Sequence, residues 1–184
     1  MNICAIDIET LGTSSDSVVL SIGVVTSSGR EFSSSLSVTD QMRKGRLINP
    51  STVQWWATQS DEAWEASTIS PTHPGAVLLA LTSFLAREKV DEIWARGSMD
   101  QHTLESLFRS FNLPAPWKYS VWRDERTLDL LGVELAVERL ERKHLSHSAL
   151  GDARNCLANV LHLKGELVAL KAEAVDLRNI AGVK

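Results

Sequence analysis

The first strand-like stretch of the chain, Asn2 to Gly12 (NICAIDIETLG), constrains the fold more than any other. Ile3 to Ile6 and Ile8 form an apolar run of strand length, yet two carboxylates, Asp7 and Glu9, sit where a buried strand ordinarily excludes charge. Side chains alternate along a strand, so Asp7 and Glu9 share one face and Ile6 and Ile8 the other. The two acidic Cα atoms are then about 6.6 Å apart at a rise of about 3.3 Å per residue. Adjacent carboxylates repel, and a divalent cation between them turns that repulsion into coordination, because Mg²⁺ and Mn²⁺ prefer carboxylate oxygen. For a lone D-x-E the alternative is a frayed strand end whose acids reach solvent.

A chain of 184 residues, 43% hydrophobic and 23% charged, is ordinary for a soluble globular protein. One domain spanning 1–184 is expected, with a core over about 2–162 and a C-terminal helix over about 165–179. The longest apolar run, Ala76 to Ala86, contains Thr82 and Ser83 and is shorter than the roughly 18 residues that span a bilayer, so no membrane segment is expected. Asp7 and Glu9 interrupt the only candidate leader, which implies a cytoplasmic location. Cys4 and Cys156 lack zinc-type spacing and read as small core residues. The net charge of −4 argues against indiscriminate adhesion to nucleic acid through a basic surface. Two divalent ions held by four acids would bring the loaded protein near neutrality.

Beyond Gly12, Val18 to Val25 reads as a second strand, Ser27 to Gly29 as a turn and Glu31 to Val38 as a third strand, together an antiparallel meander. Arg43, Lys44 and Arg46 form the main basic cluster. They precede a short helix from Pro50 through Val53, Trp55, Trp56 and Ala57. This cluster beside a tryptophan pair can track phosphates and stack bases; equally, such charges often just face solvent while one tryptophan packs inward. Ser60 to Thr72 reads as polar and irregular. From Pro74, apolar residues at Val77, Leu78, Leu81, Phe84 and Leu85 follow the helical period. Val90 to Ala95 reads as a strand, Arg96 to Ser98 as a loop, and Leu104, Leu107, Phe108 and Phe111 as the stripe of the next helix. Tyr119 to Trp122 reads as a short strand, Arg126 to Arg142 as a helix, Ser148 onward as another, and Gly165 to Asn179 as an amphipathic tail helix. The tail can bury Leu167, Leu170 and Val175 against its own body or across a two-fold axis, which makes a homodimer possible. A meander followed by alternating helix and strand implies an α/β domain with a mixed sheet of about five strands flanked by helices, with sites at strand ends.

Two later segments offer chemistry. Asp100 stands at the N-terminal end of its helix, where aspartate is also a good cap. Asp152 lies at the margin of the stripe formed by Ala149, Ala153, Leu157 and Val160, so it points toward the sheet, and the small neighbours Gly151 and Ala153 permit close approach of another backbone or a ligand. His147 precedes that helix and can swing over the same place.

Asp7-Ile8-Glu9-Thr10, Asp100 after a strand, and His147-Ser148-Ala149-Leu150-Gly151-Asp152-Ala153 together resemble the three motifs of the DEDDh 3′–5′ exonucleases, in the same order. Serine at position 148 excludes the sister type that needs tyrosine there. Pro50 to Ala63 and Arg123 to Leu128 (RDERTL) look like short phage and bacterial exonuclease VIII-like proteins. The resemblance implies a ribonuclease H-like fold and two Mg²⁺ or Mn²⁺ ions. Asp7 would bridge the ions, Glu9 and Asp152 would complete one site, Asp100 would contribute to the second, and His147 would serve as general base. It implies release of nucleoside 5′-monophosphates from 3′ ends of single-stranded DNA, with RNA 3′ ends as the alternative substrate and a non-catalytic nucleic-acid-binding module as a further one. Expected substrate contacts are Thr10 and Leu11 after the first acids, Trp55 and Trp56, and Met99, which stands where similar proteins carry an aromatic residue.

Overall fold

Alternation along the first stretch builds β1 (Ile3–Thr10) as the middle strand of the sheet. The computed structural model describes residues 2–180, with side chains described through residue 173. β2 (Val19–Thr26) and β3 (Glu31–Ser35) pair antiparallel in sequence, while β4 (Glu92–Ala95) runs parallel to β1 and β5 (Trp122–Asp124) parallel to β4. The order β3-β2-β1-β4-β5 is the mixed five-stranded sheet that the sequence implies.

Helices cover both faces, sorted by the period-two pattern of β1. The even residues Cys4, Ile6 and Ile8 pack with Ile22 and Val24 against α4 (Pro74–Glu88) and α5 (Met99–Ser110). All five apolar positions read for α4 are buried. The odd residues Ile3 and Ala5 face α7 (Ala149–Ile180) through Ala153, Cys156, Leu157 and Val160, with Leu128 of α6 (Glu125–Glu134) beside them. A smaller cluster of Leu11, Val18, Leu20, Trp56 and Ala63 fixes α2 (Pro50–Trp56) and α3 (Asp61–Thr68) to the end of the meander. Both cysteines are free and buried, and burial pushes the Cys4 thiol up to about 12.

Several local expectations give way. β3 stops at Ser35, and Val38 instead opens α1 (Val38–Met42), capped by the Ser37 side chain. Ser60 is not the start of an irregular stretch: its hydroxyl accepts the Ala63 N–H and nucleates α3. Tyr119 to Val121 form a 3₁₀ turn, and strand pairing begins only at Trp122. The helix read over Arg126 to Arg142 ends at Glu134, because Ala136 takes a left-handed backbone and the Val137 N–H turns back to the Gly132 carbonyl, returning Val137 to the core. The tail is no separate helix but the second half of α7. A Cβ at Gly165 would meet nothing within 4 Å, and an exposed glycine costs a helix only about 1 kcal/mol, too little to break one this long. Leu167 of that half packs on its own core and Leu170 is exposed; the side chain of Val175 lies outside the described residues. Among the described residues no helix is long and apolar enough to cross a membrane.

Candidate active site

Asp7 and Glu9 extend the face of β1 that carries Ile3 and Ala5, where those apolar residues end. Asp7 pairs across the sheet with Gly23. A Cβ at Gly23 would fall 2.2 Å from the backbone of Ala149 and Leu150, so the absence of a side chain lets the start of α7 rest directly on β2. That contact brings Asp152, in the first turn, to the same cleft as Asp7 and Glu9. The register shift between Glu9 and Thr10 re-aims the strand end at this point.

Asp100 arrives from the neighbouring strand. β4 pairs with β1 only at Ile3, Cys4 and Ala5, so the edge of β1 is unpaired on that side farther along. The Ile8 N–H there is accepted by Asp100 Oδ1 at 3.3 Å. The cap position of α5 is Ser98, not Asp100, and Ser98 makes no side-chain cap bond. The Asp100 carboxylate is turned to the sheet instead.

His147 has a left-handed backbone (φ 59°), a conformation that costs a non-glycine residue about 1–3 kcal/mol unless its surroundings hold it. Two contacts do. Its N–H donates to Asp152 Oδ2 at 2.8 Å, and its ring meets Trp55 edge-on with centroids 4.8 Å apart. Gly151 allows the rest of the turn to lie flush on the helix, since a Cβ there would sit 2.2 Å from the Leu145 carbonyl oxygen.

Five potential ligands from three distant segments thus line one cleft: Asp7, Glu9, Asp100, His147 and Asp152. Donor atoms of Glu9, His147 and Asp152 all lie within 4.8 Å of one another. Burial, reinforced by Asp152 and Asp100, pushes the Glu9 carboxyl up to about 8. Burial also raises Asp100 to about 7, against the Ile8 N–H that favours its ionised form. Asp7 is held well above the ordinary range by burial and then by Asp100, Glu9 and Asp152, with Arg142 opposing. Carboxylates that disfavour one another's charge in a partly closed cleft, all offering hard oxygen donors, fit divalent cations of the Mg²⁺ or Mn²⁺ kind.

The expected substrate contacts divide. Trp55 and Met99 are exposed and line an adjoining cleft with Glu9 and Thr10. Trp56 and Leu11 belong to the core, and the Trp56 indole N–H donates to the Thr10 carbonyl at 2.9 Å, pinning the end of β1. Thr10 is itself buried and gives its hydroxyl to the Gly12 carbonyl. The basic cluster is divided, with Arg43 and Lys44 exposed and Arg46 turned inward. Arg46 is buried and donates to the Ser17 carbonyl, Arg43 pairs with Asp40, and Lys44 lies over the Phe111 ring.

A back wall of the cleft escapes the sequence reading altogether. Buried Glu125 accepts from Arg96 at 3.1 Å, Arg139 at 2.9 Å and Asn159 at 2.8 Å, and Asp129 binds the same arginines. Asn155 Oδ1 accepts the N–H groups of Lys143 and His144, and Asn159 Oδ1 that of Leu140. These bonds hold residues 138–147 over the acids, and Arg142 in that segment donates to Asp152 Oδ1 at 3.2 Å. The signal available beforehand was the asparagine pair spaced i, i+4 beside the α7 stripe, polar residues at buried positions that need partners.

No curated protein matches the chain. A solved structure of the family B DNA polymerase from the hyperthermophilic archaeon Pyrobaculum calidifontis aligns at 15% identity with a TM-score of 0.49, over 85% of this chain and 24% of that one. The chain therefore spans about a quarter of the polymerase. Residues 2–163 match the model of the Rv2179c-like 3′-5′ exoribonuclease domain, and with nearly its whole described body inside that match the chain belongs to the Rv2179c-like family.

Proposed function

We propose that the chain acts as one domain, a DEDDh-type, metal-dependent 3′–5′ exoribonuclease that releases nucleoside 5′-monophosphates from single-stranded ends. The observation that carries this is the convergence of Asp7 and Glu9 from β1, Asp100 from α5, Asp152 from α7 and His147 from the preceding turn on one cleft. Family membership supports RNA, the alternative in the sequence reading, over DNA.

In this reading two divalent cations would be held by Asp7, which would serve both, by Glu9 and Asp152 at one site, and by Asp100 at the other. Such a pair, when bound, supplies an activated water and charge compensation at the leaving 3′ oxygen. The imidazole of His147, oriented by Trp55 and by its own backbone bond to Asp152, takes the proton of the attacking water at a ring nitrogen. The water oxygen joins phosphorus as the bond to the 3′ oxygen breaks. Trp55 and Met99 offer apolar surfaces to the terminal base and ribose. Arg126, exposed at the rim with no hydrogen bond from its guanidinium among the described residues, is available to a phosphate oxygen.

The test uses 5′-labelled RNA and DNA of one sequence with Mg²⁺, Mn²⁺ or chelator, comparing wild type with Asp7→Ala. Stepwise shortening of RNA, faster than of DNA and lost with chelator or the substitution, is expected. Faster shortening of DNA reverses the substrate assignment, and intact strands under every metal sink the enzyme reading. His147→Ala should lower turnover by ~10²-fold or more while metal affinity, measured by calorimetry, holds. A fall in affinity would instead make His147 a ligand.

A further inference from the structure

A second cleft borders the acidic one across Met99, lined by Thr13, Ser15, Ser98, His102, Thr103 and Arg109. Three observations give it the chemistry of an anion site. The first is its donors. Arg109 is exposed and, among the described residues, its guanidinium makes no hydrogen bond or ion pair, while His102 is exposed two helical turns nearer the start of α5. The second is a vacancy in the bonding: the hydroxyl of Thr103, a fully buried residue, has no hydrogen-bond partner, although buried hydroxyls are nearly always satisfied. The third is the start of α5 itself. This helix of 12 residues has no side-chain cap from Ser98; the Asp100 N–H is met by its own carboxylate, while the N–H groups of Met99 and Gln101 have no side-chain acceptor among the described residues. Glu105, the one acid on the wall, is already engaged, its Oε1 accepting from Gln101 at 2.9 Å and Trp117 at 3.4 Å.

The place of this cleft matters as much as its chemistry. Met99 lines both clefts and also the one beneath Trp55, so a strand whose last nucleotide lies between Met99 and Trp55 passes Met99 on its way out. We propose that the cleft of Ser98, His102, Thr103 and Arg109 holds a backbone phosphate of the strand upstream of the scissile bond. This rests on the exonuclease reading and extends it: the enzyme then requires more than a terminal dinucleotide for full affinity. Arg109 supplies the charge, and the hydroxyls with the helix N-terminus supply neutral donors that read phosphate without reading sequence.

The experiment follows binding of 5′-fluorescein RNA of two and eight nucleotides by anisotropy with Mg²⁺, on an Asp7→Asn background that prevents cleavage. Arg109→Ala should weaken the octamer about tenfold, leave the dinucleotide unchanged and flatten the salt dependence of log K by about 0.7, one single-strand phosphate contact. Arg109→Lys should recover most of the loss, and Thr103→Val should weaken the octamer with the salt slope intact. In an otherwise wild-type chain, Arg109→Ala should leave dinucleotide hydrolysis unchanged. Melting temperatures of Arg109→Ala and the parent should coincide, separating a phosphate contact from helix support. If the parent binds the octamer and Arg109→Ala binds it equally with the same salt slope, the cleft is no subsite while the nuclease reading stands. If wild type neither binds nor shortens any oligonucleotide, both fall.

Discussion

The floor and the back wall of the acidic cleft are built by opposite means. The floor is regular: Asp7 and Glu9 lie two residues apart on a central strand, Gly23 pairs with Asp7 and Ser21 with Glu9, and the antiparallel ladder to β2 fixes their positions. The wall is an irregular segment, 138–147, held by side chains. Asn155 and Asn159 bond its backbone, and the Glu125–Arg96–Arg139 cluster anchors its start. The floor concentrates negative charge and the wall brings arginine to it. Precision on the floor thus comes from hydrogen-bond ladders, and on the wall from buried polar groups that must satisfy one another.

The comparison breaks hardest at Glu125. Glu125→Ala leaves Arg96, Arg139 and Asn159 with Asp129 alone, and breaking a buried ion pair costs at most about 3–5 kcal/mol. Denaturant melts should show that loss, with hydrogen exchange quickened over 138–147 before β1. Exchange rising equally in both would mean the wall and floor are one cooperative unit.

On the floor the expected effect is smaller and depends on pH. Glu9 rises to about 8 and Asp100 to about 7 when folded, from 4.5 and 3.8, so the folded metal-free protein binds their protons more tightly than the unfolded chain does. That stabilisation is complete below about pH 4 and is lost as pH rises through 7–8, on the order of a few kcal/mol. Glu31 and Glu92 are shifted down and act only below that window. Thermal melts in chelator should therefore fall between pH 5 and 8.5. Added Mn²⁺ should stabilise more at the upper end, because cations need the ionised ligands. A flat profile in chelator would mean the acids are not crowded as described. Asn155→Ala, with Lys143 and His144 left without an acceptor, should cost about 1–3 kcal/mol and leave the pH profile unchanged.

Periodicity made the floor legible. Alternation in Ile3 to Glu9 put both acids on one face, and the α4 stripe was fully apparent, because period-two and period-3.6 patterns follow from backbone geometry alone. Failures cluster where a side chain far along the chain settles a local choice. Ala136 turns left because Val137 has a place in the core, and Trp56 is drawn inward by the Thr10 carbonyl. Arg46, read as a surface cation, is buried because Ser17 and its neighbours supply acceptors.

From the chain alone came the mixed sheet, the helical faces and the identity of the five residues now lining the cleft, since each depends on spacing within one element or on the order of short motifs. Folding decided their company: that Asp100 closes the edge of β1, that Arg142 reaches Asp152, and that Glu125 lies buried among arginines. Such contacts join residues 10 to 92 positions apart, and no local pattern records which buried charge will find which partner.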